Sequence, residues 1–381
     1  MRIGIDARWI FPQVSGIGTY TRELIRELAA LDRQNEYVLF FQDARIADDV
    51  TGAARLSDAP NFSTRLLDYG VFSPAGQARF PAELRGLNLD VFHSPNYMLP
   101  LFAFPKGRPG DLRCVVTIHD VIPLLFPDHA PRSRKTRMFP VYRWLMQQVG
   151  ARADVIVTVS ESSRRDVLEQ LHIGPERAGA VMVVPNGVAP EYVPAAKEPR
   201  AAKTILYVGR FDPYKNACGL MDVFAAVRKK TKTEVRLRMV GPPDPRYPEA
   251  RQRAESLGLN PFIDWVGYVD GAALIREYQQ ADVFVLLSKY EGFGLPVLEA
   301  MACGTPVVCS NRSSLPEVAA DAAAVVDPDR VEDAAAAIVR VLDEPAHAAD
   351  LSRRGLQRAA AFTWKRTAEQ TIKAYDLARR V

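Results

Sequence analysis

Short apolar runs alternate with amphipathic helical stretches along nearly the whole of this 381-residue chain, and that rhythm leaves few folds open. It argues for parallel α/β architecture, in which each apolar run is a strand and each helical stretch the crossover to the next. In the first half the runs are Arg2 to Asp6, Glu36 to Phe41, Asp90 to His93, Arg113 to His119, Asp154 to Ser160 and Ala180 to Val184. In the second half they are Thr204 to Gly209, Val235 to Val240, Ile263 to Val266, Asp282 to Leu287, Pro306 to Cys309 and Ala323 to Asp327. Between the halves lies a proline-rich stretch, Pro185 to Pro194, followed by charged, alanine-rich sequence to Lys203, a composition suited to a linker. A chain this long suits two domains. The expected boundaries are 1–187 and 188–362, with 363–381 as a closing helical segment. Doubly wound sheets bind ligands at the carboxyl ends of their strands, so the residues just after each run hold the functional interest.

Bulk properties exclude several classes. A net charge of +4 with no accompanying motif does not argue for nucleic acid. Cys114, Cys218, Cys303 and Cys309 lack CxxC spacing, so no disulfide framework or zinc site is expected. The segment Met1 to Arg8 carries charge where a signal peptide needs an apolar run, and no run reaches membrane-spanning length. A cytoplasmic location is expected.

The most specific segment runs from Ser288 to Gly304, SKYEGFGLPVLEAMACG. It follows the apolar run Asp282 to Leu287, and Pro296 and Gly304 suit the start and stop of a helix. The turn between strand and helix therefore lies at a ligand-binding edge. Amides there can face a phosphate, Glu299 one turn into the helix can accept a ribose diol, and Glu291 is left facing the sugar. The wording EGFGLPVLEAMACGTPVV resembles the Glu-x7-Glu motif of retaining GT-B glycosyltransferases, specifically the large family 4 that includes bacterial mannosyl- and rhamnosyltransferases. The resemblance implies an α/β GT-B fold, two doubly wound Rossmann-like domains facing across a cleft, with the acceptor side in the first domain. It also implies that Glu299 binds the donor ribose and that Glu291 contacts the donor sugar.

Other segments agree with that family. Gly209 to Asn216, GRFDPYKN, follows a strand, and the resemblance gives Arg210 and Lys215 the task of neutralising the leaving diphosphate. Many relatives carry glycine where Asn216 stands, a residue suited to capping the next helix. Ser15 to Tyr20, SGIGTY, fails as a dinucleotide fingerprint because Thr21 occupies the third glycine position. It matches the family's glycine-rich loop, which points Gly16 and Gly18 at the donor diphosphate or the acceptor. His119-Asp120 ends a strand and matches the family's histidine that touches the donor sugar, while His93 also ends a strand and is expected near the cleft. Tyr268 and Val269 match the loop that borders the nucleobase. Together with Gly292, Phe293, Gly294 and Leu295 they complete the expected donor site. Asp327-Pro328-Asp329 has the form of a metal-binding DxD motif, but helix capping accounts for it better.

The function implied is retaining, metal-independent transfer of a hexose from a nucleoside diphosphate to a hydroxyl of a saccharide or lipid-linked saccharide. GDP-mannose is the first donor to consider, and cell-surface polysaccharide or lipopolysaccharide assembly the first context. No cofactor is expected, the nucleotide sugar being a substrate. A sugar-nucleotide epimerase and a catalytically silent sugar-nucleotide-binding scaffold are the alternatives; a nicotinamide dehydrogenase is disfavoured by the failed fingerprint. Finally, Arg132, Arg134, Lys135, Arg137, Arg143 and Arg152 are interleaved with Phe139, Trp144 and other apolar residues. That pattern suits an ordinary helix packing one face on a sheet, and it also suits weak association with an anionic membrane.

Overall fold

The computed structural model describes residues 1–12, 15–127 and 138–381. They form two compact units. The first comprises Met1–Leu124, Met138–Gly187 and Thr363–Val381; the second comprises Val188–Phe362 with Leu125, Phe126 and Pro127.

Among the described residues the first unit holds a seven-stranded sheet of β1 (Arg2–Asp6), β2 (Glu36–Phe41), β3 (Phe62–Leu66), β4 (Val91–Ser94), β5 (Arg113–Ile118), β6 (Val155–Thr158) and β7 (Val181–Val183). All neighbours are parallel, in the order β3-β2-β1-β4-β5-β6-β7. Ile5 pairs with Leu39 on one side and His93 on the other, which makes the gap between β1 and β4 the point where the winding reverses. β1 and β2 match the apolar runs to the residue, and the other expected strands of this sheet begin or end within two residues of them. β3 had no counterpart in the sequence reading, because Ser63, Thr64, Arg65 and Leu66 are exposed on an edge strand and show no apolar pattern.

Among the described residues the helices before the second sheet are α1 (Gly16–Leu31), α2 (Ala44–Ala53), α3 (Pro74–Arg85), α4 (Ile122–Leu125), α5 (Phe139–Arg152) and α6 (Glu161–Gln170). The second unit holds, among the described residues, a six-stranded parallel sheet of β8 (Lys203–Val208), β9 (Val235–Val240), β10 (Ile263–Gly267), β11 (Val283–Leu286), β12 (Val307–Ser310) and β13 (Ala324–Val326). Its order, β10-β9-β8-β11-β12-β13, reverses between β8 and β11. Its helices are α7 (Ala217–Lys230), α8 (Glu249–Ser256), α9 (Gly271–Gln280), α10 (Leu295–Ala302), α11 (Leu315–Ala319), α12 (Val331–Asp343) and α13 (Pro345–Ala359).

The last helix, α14 (Trp364–Arg380), belongs to the first unit and packs on α1, β5 and β6. Trp364, Thr367, Ala368, Thr371, Ala374, Tyr375 and Ala378 are its buried residues, spaced as one helical face. Thr363 caps it by accepting the Arg366 N–H at 3.2 Å, and the Thr367 hydroxyl donates to the Pro185 carbonyl at 2.7 Å. The chain passes so close here that a Cβ on Gly187 would lie 2.1 Å from the Trp364 nitrogen. Only glycine fits there.

Candidate active site

In the second unit the reversal between β8 and β11 brings together the loops that follow them, which is where an open α/β sheet binds its ligand. Lys215 comes from the first loop and Glu291 from the second. The Lys215 ammonium lies 2.8 Å from each carboxylate oxygen of Glu291, and both side chains are largely buried. The Ser288 hydroxyl adds a 2.6 Å bond to Oε1. Glu291 is thus clamped on both oxygens rather than left open, a pairing that sequence spacing gave no means to see.

Three serines, one ending β12 and two in the loop after it, fix the loop that carries Glu291. The Ser310 hydroxyl donates to the Ser288 carbonyl at 2.6 Å, Ser313 Oγ accepts the Glu291 N–H at 2.7 Å, and the Ser314 hydroxyl donates to the carbonyls of Glu291 and Phe293. The Lys289 N–H donates to the Tyr214 carbonyl at 2.7 Å, tying this loop to the one that bears Lys215. Gly294 closes the turn into α10 with φ of 101°, a conformation that disfavours any side chain, and a Cβ there would also push the tip of Leu315, 2.6 Å away. These serines were missed by the sequence reading because no motif spacing links a hydroxyl to a loop some 22 residues earlier.

Arg210 stays more open. Its side chain is 56% exposed and pairs with Asp212 through Nε at 2.9 Å, while the Tyr207 hydroxyl donates to the Arg210 carbonyl at 2.5 Å. Asn216 occupies the position before α7 in the left-handed region, φ 57°, and its side chain makes no capping bond. The expectation of a cap is corrected. The residue is there because, after glycine, asparagine tolerates this conformation best.

Glu299 sits one turn into α10, where burial raises its pKa against the opposing effect of two phenol donors. Tyr278 donates to Oε2 at 2.7 Å, and Tyr192 is the second donor. Neither tyrosine was singled out from sequence. Tyr268 and Val269 lie in the loop between β10 and α9, with the Tyr268 ring exposed. Beside it Trp265 contacts Phe211 edge to face at 5.8 Å.

In the first unit His119 follows β5, its Nε2 3.0 Å from the Pro95 carbonyl and its ring edge-on to Tyr20. A carbonyl only accepts, so Nε2 carries the proton; burial lowers the pKa, which keeps the ring neutral and Nδ1 an acceptor. Gly16 and Gly18 open α1, but the Gly18 N–H is already taken by Ser15 Oγ at 3.1 Å, an N-cap. His93 does not border a ligand edge. It is fully buried, with Nδ1 2.8 Å from the Tyr375 hydroxyl and Nε2 2.8 Å from Thr117 Oγ1.

One further expectation changes. Asp327 and Asp329 do not cap a helix: both pair with Arg312, at 2.9 and 3.1 Å, and the Asp329 N–H donates to Asp327. Of the basic cluster, Arg132, Arg134, Lys135 and Arg137 lie outside the described residues. The described part, α5, buries Tyr142, Leu145, Met146 and Val149 on one face and leaves Val141, Arg143 and Trp144 exposed on the other.

Two parallel sheets, with a lysine–glutamate clamp across the reversal of the second, define a doubly wound α/β protein whose ligand edges lie at those reversals. The comparisons with known proteins agree. The model described as glycosyl transferases group 1 matches residues 189–358, and that described as glycosyltransferase family 4 matches residues 14–192. The chain is 31% identical to O-antigen chain mannosyltransferase B of Escherichia coli over 96% of both chains. It is also 31% identical to MMP alpha-(1->4)-mannosyltransferase of Mycolicibacterium hassiacum, over 99% of this chain and 98% of that one. Its fold matches sucrose-phosphate synthase from Thermosynechococcus elongatus with a TM-score of 0.74, at 21% identity and 98% coverage of each chain. The protein is a glycosyltransferase with the GT-B fold. It belongs to glycosyltransferase family 4.

Proposed function

We propose that the enzyme transfers mannose from GDP-mannose, with retention and without a metal ion, to a hydroxyl of a saccharide or lipid-linked saccharide in cell-surface polysaccharide or lipopolysaccharide assembly. The observation that carries the reading is the Lys215–Glu291 clamp beside Arg210 at the reversal of the second sheet. The choice of mannose draws on the two 31%-identical relatives, both named as mannosyltransferases.

In this reading the bond from the anomeric carbon to the diphosphate oxygen breaks as the acceptor oxygen bonds the same face of that carbon. The acceptor proton passes to the departing phosphate oxygen. Lys215, Arg210 and the amides of the loop from Gly292 to Leu295 offset the charge that develops there. Glu291, held by a lysine and a serine, is a poor nucleophile and serves as an acceptor for sugar hydroxyls. His119 offers Nδ1 to another sugar hydroxyl, Glu299 holds the ribose, Tyr268 and Val269 border the base, and Gly16 and Gly18 contact donor phosphate or acceptor. A panel of nucleoside diphosphate sugars with mannose-terminated oligosaccharides tests this. GDP-mannose should give an α-linked product by NMR, and a β-linked product or exclusive use of another donor would refute the reading.

Calorimetry separates the two glutamates. Glu299→Gln should weaken GDP binding by about tenfold, a loss of roughly 1.4 kcal/mol, while Glu291→Gln should spare GDP and impair use of GDP-mannose. Equal losses of GDP affinity would mean the roles are wrongly divided. In the same assay activity should persist in EDTA, because cationic side chains already offset the diphosphate charge; loss that Mg²⁺ or Mn²⁺ restores would overturn this part.

A place at the cytoplasmic face of the membrane completes the proposal. Among the described residues no helix is long and apolar enough to cross a membrane. Supporting a peripheral contact, Phe102 is 79% exposed and Trp144 52%, on a turn and a helix that pack together. Each basic residue near an anionic surface adds about 1 kcal/mol. Vesicles rich in phosphatidylglycerol should therefore sediment the protein at low salt, and reversing Arg134, Lys135 and Arg137 to glutamate should abolish it. Equal binding to neutral vesicles would leave the cluster an ordinary solvated face.

A further inference from the structure

We propose that the first unit carries a neutral-saccharide subsite built on Trp9, Phe11, Phe72 and Tyr97, which seats a pyranose ring of the acceptor. The inference rests on the reading above that the acceptor is a saccharide, and it names the side chains that hold it.

Position comes first. The first sheet reverses between β1 and β4, and Trp9 and Tyr97 stand three residues beyond the ends of those strands. Phe72 lies in the segment after β3. Three chain segments thus bring aromatic rings to the edge where a doubly wound sheet takes its ligand. The donor-binding motifs around Lys215 and Glu291 belong to the second unit, so this edge needs a ligand of its own.

The rings form a connected surface. Trp9 meets Phe72 at 5.4 Å and Phe11 at 6.4 Å, both nearly perpendicular, and Tyr97 at 5.8 Å. Trp9 and Tyr97 are buried, yet Phe72 is 56% and Phe11 41% exposed. Two large rings kept in water beside a buried aromatic base mark a binding surface rather than a core. The Trp9 indole N–H is buried with no acceptor among the described residues, an omission that a ligand hydroxyl makes good.

Charge selects the ligand. The ionised groups closest in sequence, Asp6 and Arg8, form a buried two-bond pair, and Arg8 stacks on Phe80 at 4.3 Å. They neutralise each other, and the charge that acts on Tyr97 is the Asp120 carboxylate, an acidic neighbour that disfavours a diphosphate or an anionic headgroup. A pyranose fits instead: its axial C–H face packs on aromatic rings, and its hydroxyls meet donors at the rim.

The probes are mannotriose and the methyl glycosides of mannose, rhamnose, glucose, galactose and N-acetylglucosamine, examined by saturation-transfer NMR on the full chain without nucleotide. At least one should bind the wild type, with the strongest transfer to its ring C–H protons. Phe11→Ala/Phe72→Ala changes exposed rings and should leave the melting temperature unchanged while abolishing that signal. It should raise the KM for a mannotriose acceptor at least tenfold while leaving the KM for the donor and GDP affinity unchanged. Trp9→Phe, which keeps the ring packing but removes the N–H, should weaken binding by a smaller factor. The proposal is overturned if no neutral glycoside binds the wild type, if binding survives the double variant, or if the patch binds phosphatidylglycerol vesicles and no sugar. Failure of GDP-mannose as donor would sink the functional reading alone, since the NMR measurement needs no turnover.

Discussion

Replacing Lys215 with alanine should lower turnover by about 10²- to 10³-fold, the usual consequence of removing one preorganised donor from a site where negative charge develops. It should also cost stability. Lys215 and Glu291 are both largely buried, and breaking such a pair leaves a carboxylate with only Ser288 for company, a penalty on the order of 3 kcal/mol. Two companion variants separate the effects. Arg210→Ala should lose activity with a much smaller change in stability, because Arg210 is exposed and its removal lets water reach Asp212. Lys215→Ala/Glu291→Gln should recover stability without recovering turnover, since no buried charge is then left alone. Denaturant unfolding and steady-state kinetics on the set give the answer, and near-wild-type turnover in both Lys215→Ala and Arg210→Ala would remove the proposed diphosphate site.

Acidification should weaken the first unit well before its carboxylates titrate. His93 is fully buried, bonded to Tyr375 and Thr117, and burial lowers its pKa to about 3. In the unfolded chain the same ring titrates at about 6.5. Between those values the unfolded state binds a proton that the folded state refuses, so stability falls as pH drops below about 6.5, by roughly 1.4 kcal/mol per pH unit. Above that range this group contributes no pH dependence. His119, also lowered by burial, acts with the same sign. Because Tyr375 lies on α14, protonating His93 should loosen the closing helix first. Urea unfolding at pH 7.5 and 5.5 tests this, with Trp265→Phe as background so that only tryptophans of the first unit report. His93→Gln should reduce the pH dependence by about one proton; an unchanged dependence would show that another group is responsible.

How far the sequence could be read varied with what each residue had to do. β1, β2 and β9 were legible to the residue because strands packed by helices need an apolar register, whereas β3 escaped because its side chains face solvent. Arg210, Lys215, Glu291 and Glu299 stood out because each sits at a fixed offset from a strand or helix end inside a segment that resembles a family motif. Ser310, Ser313 and Ser314 did not, since a serine near a turn is common and its partner lies on another loop. Tyr192 fell within the linker stretch and Tyr278 in no motif, so only the folded chain brings their phenols to Glu299. His93 looked like an edge residue by its place at a strand end, and only the docking of α14 shows why it is core.

The sequence by itself determined the two parallel sheets and the loops at their carboxyl edges, because apolar periodicity and crossover length are local properties of the chain. Strand order was decided only in the folded state. It is the order β9-β8-β11-β12 that places the loops after β8 and β11 side by side, and so joins Lys215 to Glu291 across 76 residues of sequence. The same is true of β1 and β4, whose adjacency gathers Trp9 and Tyr97. Pairings of this kind follow from which strands share hydrogen bonds and which faces the helices cover, and those choices are settled by burying the whole apolar surface at once.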